Sequence, residues 1–250
     1  MPFLRALAAL VLISLLLTLP AHAEDLIVSA AASLTNAFKE IGAEFEKAQP
    51  GSKVVFNFAA SGPLLQQIEN GAPADVFASA DQETLDKAAG KKLVDSATRR
   101  NFASNRLVLV QPKSGTPVRG IADLKGDTVK RIGIGNPASV PVGRYTRDVL
   151  QAENLWGTLE PKFINADSVR QVLDYVSRGE VDAGFVYSTD AAIARDKVNV
   201  VTTVATQRPV LYPIAVVTGS KQAGLADAFV GFVAGTTGQA ILEKYGFGKP

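Results

Sequence analysis

The stretch LIVSAAASLTNAFKEIGAEF, residues 26–45, decides how the chain is read. Leu26-Ile27-Val28 is a short apolar run rich in β-branched residues, and Leu34, Phe38, Ile41 and Phe45 then recur at helical spacing. A strand that runs into an amphipathic helix is the first half of a βαβ unit. Working outward, Val54-Val55-Phe56 predicts the next strand, and Leu64, Leu65 and Ile68 a second helix that Gly71 can end. Val76-Phe77 predicts a third strand, and residues 82–89 a third helix. The order β-α-β-α-β is the opening of a doubly wound α/β lobe.

A second alternation follows. Residues 106–110 form a strongly β run, and Pro112, Gly115, Pro117 and Gly120 mark a loop-rich stretch. Strands are then expected at 131–134, 163–164 and 182–187, with helices at 143–153, 169–178 and 189–195. Residues 198–204 and 210–217 are β-rich, and two helices close the chain at 225–233 and 238–245. The terminal helices need a host, and the first unit is the natural one. The chain then crosses between units twice, near Asn105 and near Leu211. The expected division is residues 24–104 with 212–250 in one lobe and 105–211 in the other. A ligand is expected in the cleft, at the carboxyl ends of the strands.

The N-terminus speaks to compartment. Arg5 is the sole charge before Glu24, an apolar run covers residues 6–19, and Ala21-His22-Ala23 is an Ala-x-Ala cleavage site. Residues 1–23 therefore read as a secretory signal peptide, cleaved after Ala23. The chain has no cysteine, so neither a lipid anchor nor a disulfide is expected. A freely soluble exported protein of this kind points to a Gram-negative periplasm.

Composition then narrows the chemistry. The single histidine is His22, so the part after residue 23 lacks the usual general base, the usual transition-metal ligand and the thiol nucleophile. Arg5 is one of 26 Lys and Arg residues against 24 Asp and Glu, which leaves residues 24–250 nearly neutral. No basic stripe invites nucleic acid. No cofactor is expected, and the protein is read as a monomer and not as an enzyme.

Four short polar segments stand where a strand meets a helix. They are residues 30–36 with Ser33, 58–64 with Ser61, 136–143, and 166–169 with Asp167. Ser33 and Ser61 read as N-caps, Asp167 as a cap, and Arg144 and Arg170 as surface pairing residues. Helix starts expose unpaired N–H groups and partial positive charge. Several aimed at one cleft would hold an anion without a cationic side chain. Neutral donors suit a fully deprotonated dianion, because a protonated one also needs an acceptor. Tyr187, at the end of an apolar strand, can add a phenol or can be a core tyrosine. Three alternatives stay open at this point. One is another tetrahedral oxyanion, sulfate or phosphate. The second is ferric iron, which wants paired tyrosines or a carboxylate cluster. The third is an exported Ser–Lys hydrolase, although no Ser-x-x-Lys occurs at Ser33 or Ser61.

The same segments carry a resemblance. Residues 30–37, 58–61, 71–81, 140–143, 166–170, 186–187, 212–217 and 245–247 are similar, in order, to the periplasmic molybdate-binding proteins of molybdate ABC transporters. The resemblance implies a periplasmic-binding-protein-like type II fold, with two doubly wound lobes joined by two crossover strands. It implies molybdate or tungstate as ligand, and as partners a membrane permease and its ATPase. It also implies a ligand shell: hydroxyls of Ser33, Ser61 and Tyr187, and backbone N–H groups of Ser61, Val142 and Val169. Molybdenum would be held only as the oxyanion.

Overall fold

The computed structural model describes residues 24–250; the signal peptide expected over 1–23 lies outside the described residues. The first lobe opens with β1 (Glu24–Ala31), the helix α1 (Thr35–Ala48), β2 (Ser52–Ala59), α2 (Ser61–Glu69), β3 (Val76–Ala78), α3 (Gln82–Gly90) and β4 (Arg100–Asn105). The second holds β5 (Leu107–Pro112), β6 (Ile132–Gly135), α4 (Pro141–Ala152), α5 (Trp156–Leu159), β7 (Phe163–Ala166), α6 (Val169–Ser177), β8 (Ala183–Tyr187), α7 (Ser188–Ile193) and β9 (Val198–Val204). The chain returns through β10 (Val210–Val216) and ends in α8 (Ala223–Ala234) and α9 (Thr236–Lys244).

Two five-stranded sheets result, ordered β2-β1-β3-β10-β4 and β7-β6-β8-β5-β9. In the first, β1 pairs in parallel with β2 and β3, and β10 pairs antiparallel with β3 and β4. In the second, β6 pairs in parallel with β7 and β8, and β5 runs antiparallel to β8 and β9. The two passages between sheets are β4 to β5 and β9 to β10, which makes this the type II architecture of two doubly wound lobes.

Periodicity accounts for the packing. Ala37, Phe38, Ile41 and Phe45 of α1 are buried on one face, against a sheet whose Leu26, Val28 and Ala30 are fully covered. Phe38 lies 5.6 Å from Phe102 of β4 and 6.1 Å from Phe229 of α8, centroid to centroid. The late helix α8 thus closes the core that the first helix began. Gly71 adopts φ +81° just beyond α2, a left-handed conformation that glycine takes at little cost. Strand β4 was not anticipated from sequence. Its residues Arg100 and Asn101 are exposed and polar, so it has no two-residue apolar alternation to betray it. Among the described residues, no single helix is long and apolar enough to cross a membrane.

The winding places the site. The parallel strands β1, β2 and β3 all deliver their carboxyl ends to the side facing the second lobe. Strands β6, β7 and β8 deliver theirs to the opposite wall.

Candidate functional site

A closed cavity lies between the lobes. One wall is Ala31, Ala32, Ser33, Ala60, Ser61 and Ala80, and the other is Val140, Pro141, Val142, Val169 and Tyr187. The space in it open to a water-sized sphere is about 10 Å³, far below the ~300–1,000 Å³ usual for organic ligands. All five residues expected at a ligand site, Ser33, Ser61, Val142, Val169 and Tyr187, therefore line one space. Each is at most 4% exposed. Nothing can enter such a space unless the lobes part.

Ser33 lies within a 3₁₀ turn, Ala32–Leu34, and does not cap α1; Leu34 holds the cap position and provides no side-chain bond. The sequence reading of Ser33 as an N-cap is corrected here. The tight turn pulls Ser33 inside and brings its Oγ 3.0 Å from the hydroxyl of Tyr212. Ser61 is likewise not the cap but the first residue of α2, after Ala60. Its Oγ accepts from the N–H of Ala80 at 3.0 Å. In both cases the hydroxyl is released from capping, on a residue that lines the cavity. Asp167 is not the cap of α6 either. Ser168 is, and its Oγ accepts from the N–H of Gln171 at 3.2 Å.

Ser61, Val142 and Val169 each sit in the first turn of a helix, where N–H groups have no intrahelical acceptor. No backbone carbonyl closes on them among the described residues. Val140, at the start of α4, gives no side-chain cap and Pro141 supplies none of its own N–H. The N-terminal ends of α2, α4 and α6 thus converge with their partial positive charges on one point.

The phenol of Tyr187 is buried and its oxygen has no hydrogen-bond partner among the described residues. A buried unpaired hydroxyl costs about 1–3 kcal/mol, so its presence at the cavity wall calls for a partner from within. Burial first, and the neighbouring Tyr212, Tyr145, Asp81 and Asp190 after it, push this phenol well above its ordinary value of 10.0. It stays a donor.

No Arg, Lys, Asp or Glu lines the cavity. The charges stand one layer out, and they join the lobes. Arg144, expected at the surface, is 3% exposed. Its Nε donates to Asp81 Oδ2 at 2.8 Å and its second guanidinium nitrogen to Thr84 Oγ1 at 2.7 Å, both across the cleft. Burial works against its charge, yet the Asp81 carboxylate holds its pKa above the ordinary value. Arg170, also expected to pair at the surface, binds the fully buried Asp190 and reaches Asn36 Oδ1 at 2.9 Å and the carbonyl of Ser33 at 3.3 Å. Both expectations fail for one reason. Each arginine sits near a helix start that faces the other lobe, and sequence spacing carries no sign of that lobe. Ala80, Asp81, Asn105 and Tyr212 were given no role from sequence. The segment at 79–81 follows β3, and its place at a strand's carboxyl end was the available signal.

The sequence pattern of the bacterial extracellular solute-binding protein family matches residues 26–248. The molybdate-binding protein ModA of Escherichia coli is 41% identical over 88% of this chain and 87% of its own. The chain belongs to the molybdate-binding family of bacterial extracellular solute-binding proteins. The ModA of Haemophilus influenzae is 34% identical, over 88% of both chains. Among solved structures, the periplasmic molybdate-binding protein of Azotobacter vinelandii superposes with a TM-score of 0.78 at 26% identity, covering 90% of this chain and 99% of that one. Membership in this family fits the closed cavity between two lobes: the chain is a solute-binding protein, and its solute is small.

Proposed function

We propose that this protein captures molybdate, and tungstate with it, in the periplasm and hands it to the permease and ATPase of an ABC importer. The observation that carries the reading is the convergence of three hydroxyls, Ser33, Ser61 and Tyr187, on one buried cavity lined by no charged side chain. Molybdenum enters only as the oxyanion, through those hydroxyls and the backbone N–H groups of Ser61, Val142 and Val169. The molybdate-binding relatives support the choice of anion. The signal peptide read over residues 1–23 supports export, and a monomer suffices because one chain builds both walls.

Capture proceeds by closure. The anion docks on the helix starts of one lobe, and the other lobe's donors then close over it. Hydrogen bonds to a dianion are charge-assisted, roughly twice as strong as neutral ones. Buried dipoles stabilise it without an ion pair whose desolvation would offset the gain. A cage fitted to long metal–oxygen bonds leaves the smaller sulfate with stretched contacts, whereas tungstate fits as molybdate does. The hydrogen-bond neighbours of the two serine hydroxyls are the Tyr212 phenol and the Ala80 N–H, which suit capture of an anion.

Isothermal titration with molybdate, tungstate, sulfate and phosphate tests this. Tight binding of the first two and weak binding of the others is expected. Sulfate bound as tightly as molybdate overturns the choice of anion.

A further inference from the structure

We propose that Tyr212, which does not line the cavity, is a positioning residue that presets Ser33 as a hydrogen-bond donor and so tunes the site to anions that carry no proton. The inference rests on the oxyanion reading above and goes beyond it, from which residues touch the ligand to which protons they offer.

The proton positions follow from a chain of contacts that starts at the crossover. The N–H of Arg106 donates to Asn105 Oδ1 at 2.9 Å. A backbone N–H can only donate, so the orientation of the Asn105 amide is fixed. The Ser188 hydroxyl donates to the same oxygen at 2.9 Å. The amide nitrogen then faces Thr189 Oγ1 at 2.9 Å and the Tyr212 hydroxyl at 3.3 Å, and it too can only donate. Tyr212 oxygen is the acceptor there, and its single proton goes to its other neighbour, Ser33 Oγ, at 3.0 Å. Ser33 therefore accepts from behind, and its own proton turns to the cavity that it lines.

Ser61 is preset in the same way by a group that can only donate, the N–H of Ala80. Tyr187 has no hydrogen-bond partner among the described residues. Three hydroxyl protons thus point inward. Hydrogen phosphate brings a proton that needs an acceptor. To supply one, a hydroxyl would have to turn its own hydrogen away and leave it buried and unpaired, or break the bond from Tyr212. A fully deprotonated dianion asks for neither. Burial pushes the Tyr212 phenol well above 10.0, which keeps its proton in the relay across neutral pH.

The test is the ratio of affinities for molybdate and hydrogen phosphate at pH 8, the latter read by competition, in the wild type and in Tyr212→Phe. The ring is fully buried and packs on Tyr187 and Phe247, and phenylalanine keeps those contacts. The ratio is expected to fall about tenfold, the worth of one hydrogen bond to a charged group. In a Ser33→Ala background the same substitution should leave it unchanged. Equal loss for both anions, or no change, overturns the relay. Asn105→Asp serves as a second variant should the first fail to fold. It turns the amide donor into an acceptor for Tyr212, and its added charge repels both anions alike, so the ratio should fall again. A wild type that prefers sulfate to molybdate defeats the choice of anion only. The relay is then read from the sulfate to hydrogen phosphate ratio.

Discussion

Arg144 on one lobe and Asp81 on the other meet inside the protein, Nε to Oδ2 at 2.8 Å, with side chains 3% and 0% exposed. Asp81 also caps α3 by accepting from the Thr84 N–H at 3.1 Å, and the residue before it, Ala80, both lines the cavity and donates to Ser61. Arg144 follows Val142 by two residues on α4. The pair therefore ties together the two backbone segments that face each other across the ligand space. Parting the lobes would return both charges to water, so the pair belongs to closure and not to the fold of either lobe. Arg144→Met should remove about 3–5 kcal/mol from the closed form, because Asp81 is then left buried and unpaired. Small-angle scattering should show a more open ligand-free protein, and titration a weaker molybdate affinity. Unchanged scattering and affinity would refute the latch.

Tyr187→Phe should move stability and affinity in opposite directions. The phenol has no partner among the described residues of the closed form, so deleting it relieves a desolvation penalty of about 1–3 kcal/mol in the closed, ligand-free protein. The same deletion removes a donor to a buried anion and should weaken binding by a similar amount. Urea unfolding without ligand, set beside a molybdate titration, measures both. Ser33→Ala and Ser61→Ala should each weaken binding by roughly 1–3 kcal/mol without the gain in ligand-free stability.

Binding should be flat from neutral pH to about 10 on the protein's side. The donors Tyr187 and its neighbour Tyr212 are both held protonated by burial, well above 10.0. The sign for stability runs the same way. A phenol whose folded pKa is raised by burial leaves stability independent of pH below about 10, and stability falls as pH rises through 10 toward the folded value, because the unfolded chain ionises first. Molybdate titrations between pH 7 and 10 check the first expectation, and thermal melts above pH 10 the second. Affinity falling steeply near pH 8 would show that one of these phenols ionises early.

The two windings were legible because each strand–helix pair carries its own period: Leu26 to Phe45 alone contains one. The five candidate ligand residues were placed in one cavity because each stands at a strand end or a helix start, which sequence marks with Ser, Pro and Gly. What stayed hidden was everything that crosses the cleft. Arg144 and Arg170 have the spacing of surface residues on amphipathic helices; the burial of Arg144, and the contacts of the half-buried Arg170 with Asn36 and Ser33, depend on a lobe contributed by distant sequence. Ser33 looked like a cap because a serine before a helical pattern usually is one. The 3₁₀ turn over Ala32–Leu34 shifts the helix start by one residue, to Thr35, and frees it. Tyr212 stands in a segment that carries the family resemblance, but its role was hidden, because it depends on a contact with a residue 179 positions away.

Gly62 offers a way to test closure without touching the cavity or a charge. It does not line the ligand space, and its N–H donates across the cleft to the carbonyl of Ser139 at 3.0 Å. A β-carbon built there would stand 2.3 Å from that carbonyl oxygen and 2.9 Å from Ser139 Cα. Both obstacles are backbone, so neither can swing aside. Gly62 is in helical conformation within α2, and alanine favours a helix by about 1 kcal/mol over glycine. Gly62→Ala should therefore leave the first lobe intact or slightly firmer while holding the second lobe off. The expected result is a higher or unchanged melting temperature without ligand, a larger radius of gyration with molybdate present, and a much faster release of the anion. Wild-type release kinetics and a fully compact bound form in this variant would show that the lobes need not approach so closely at Gly62 for the anion to be held.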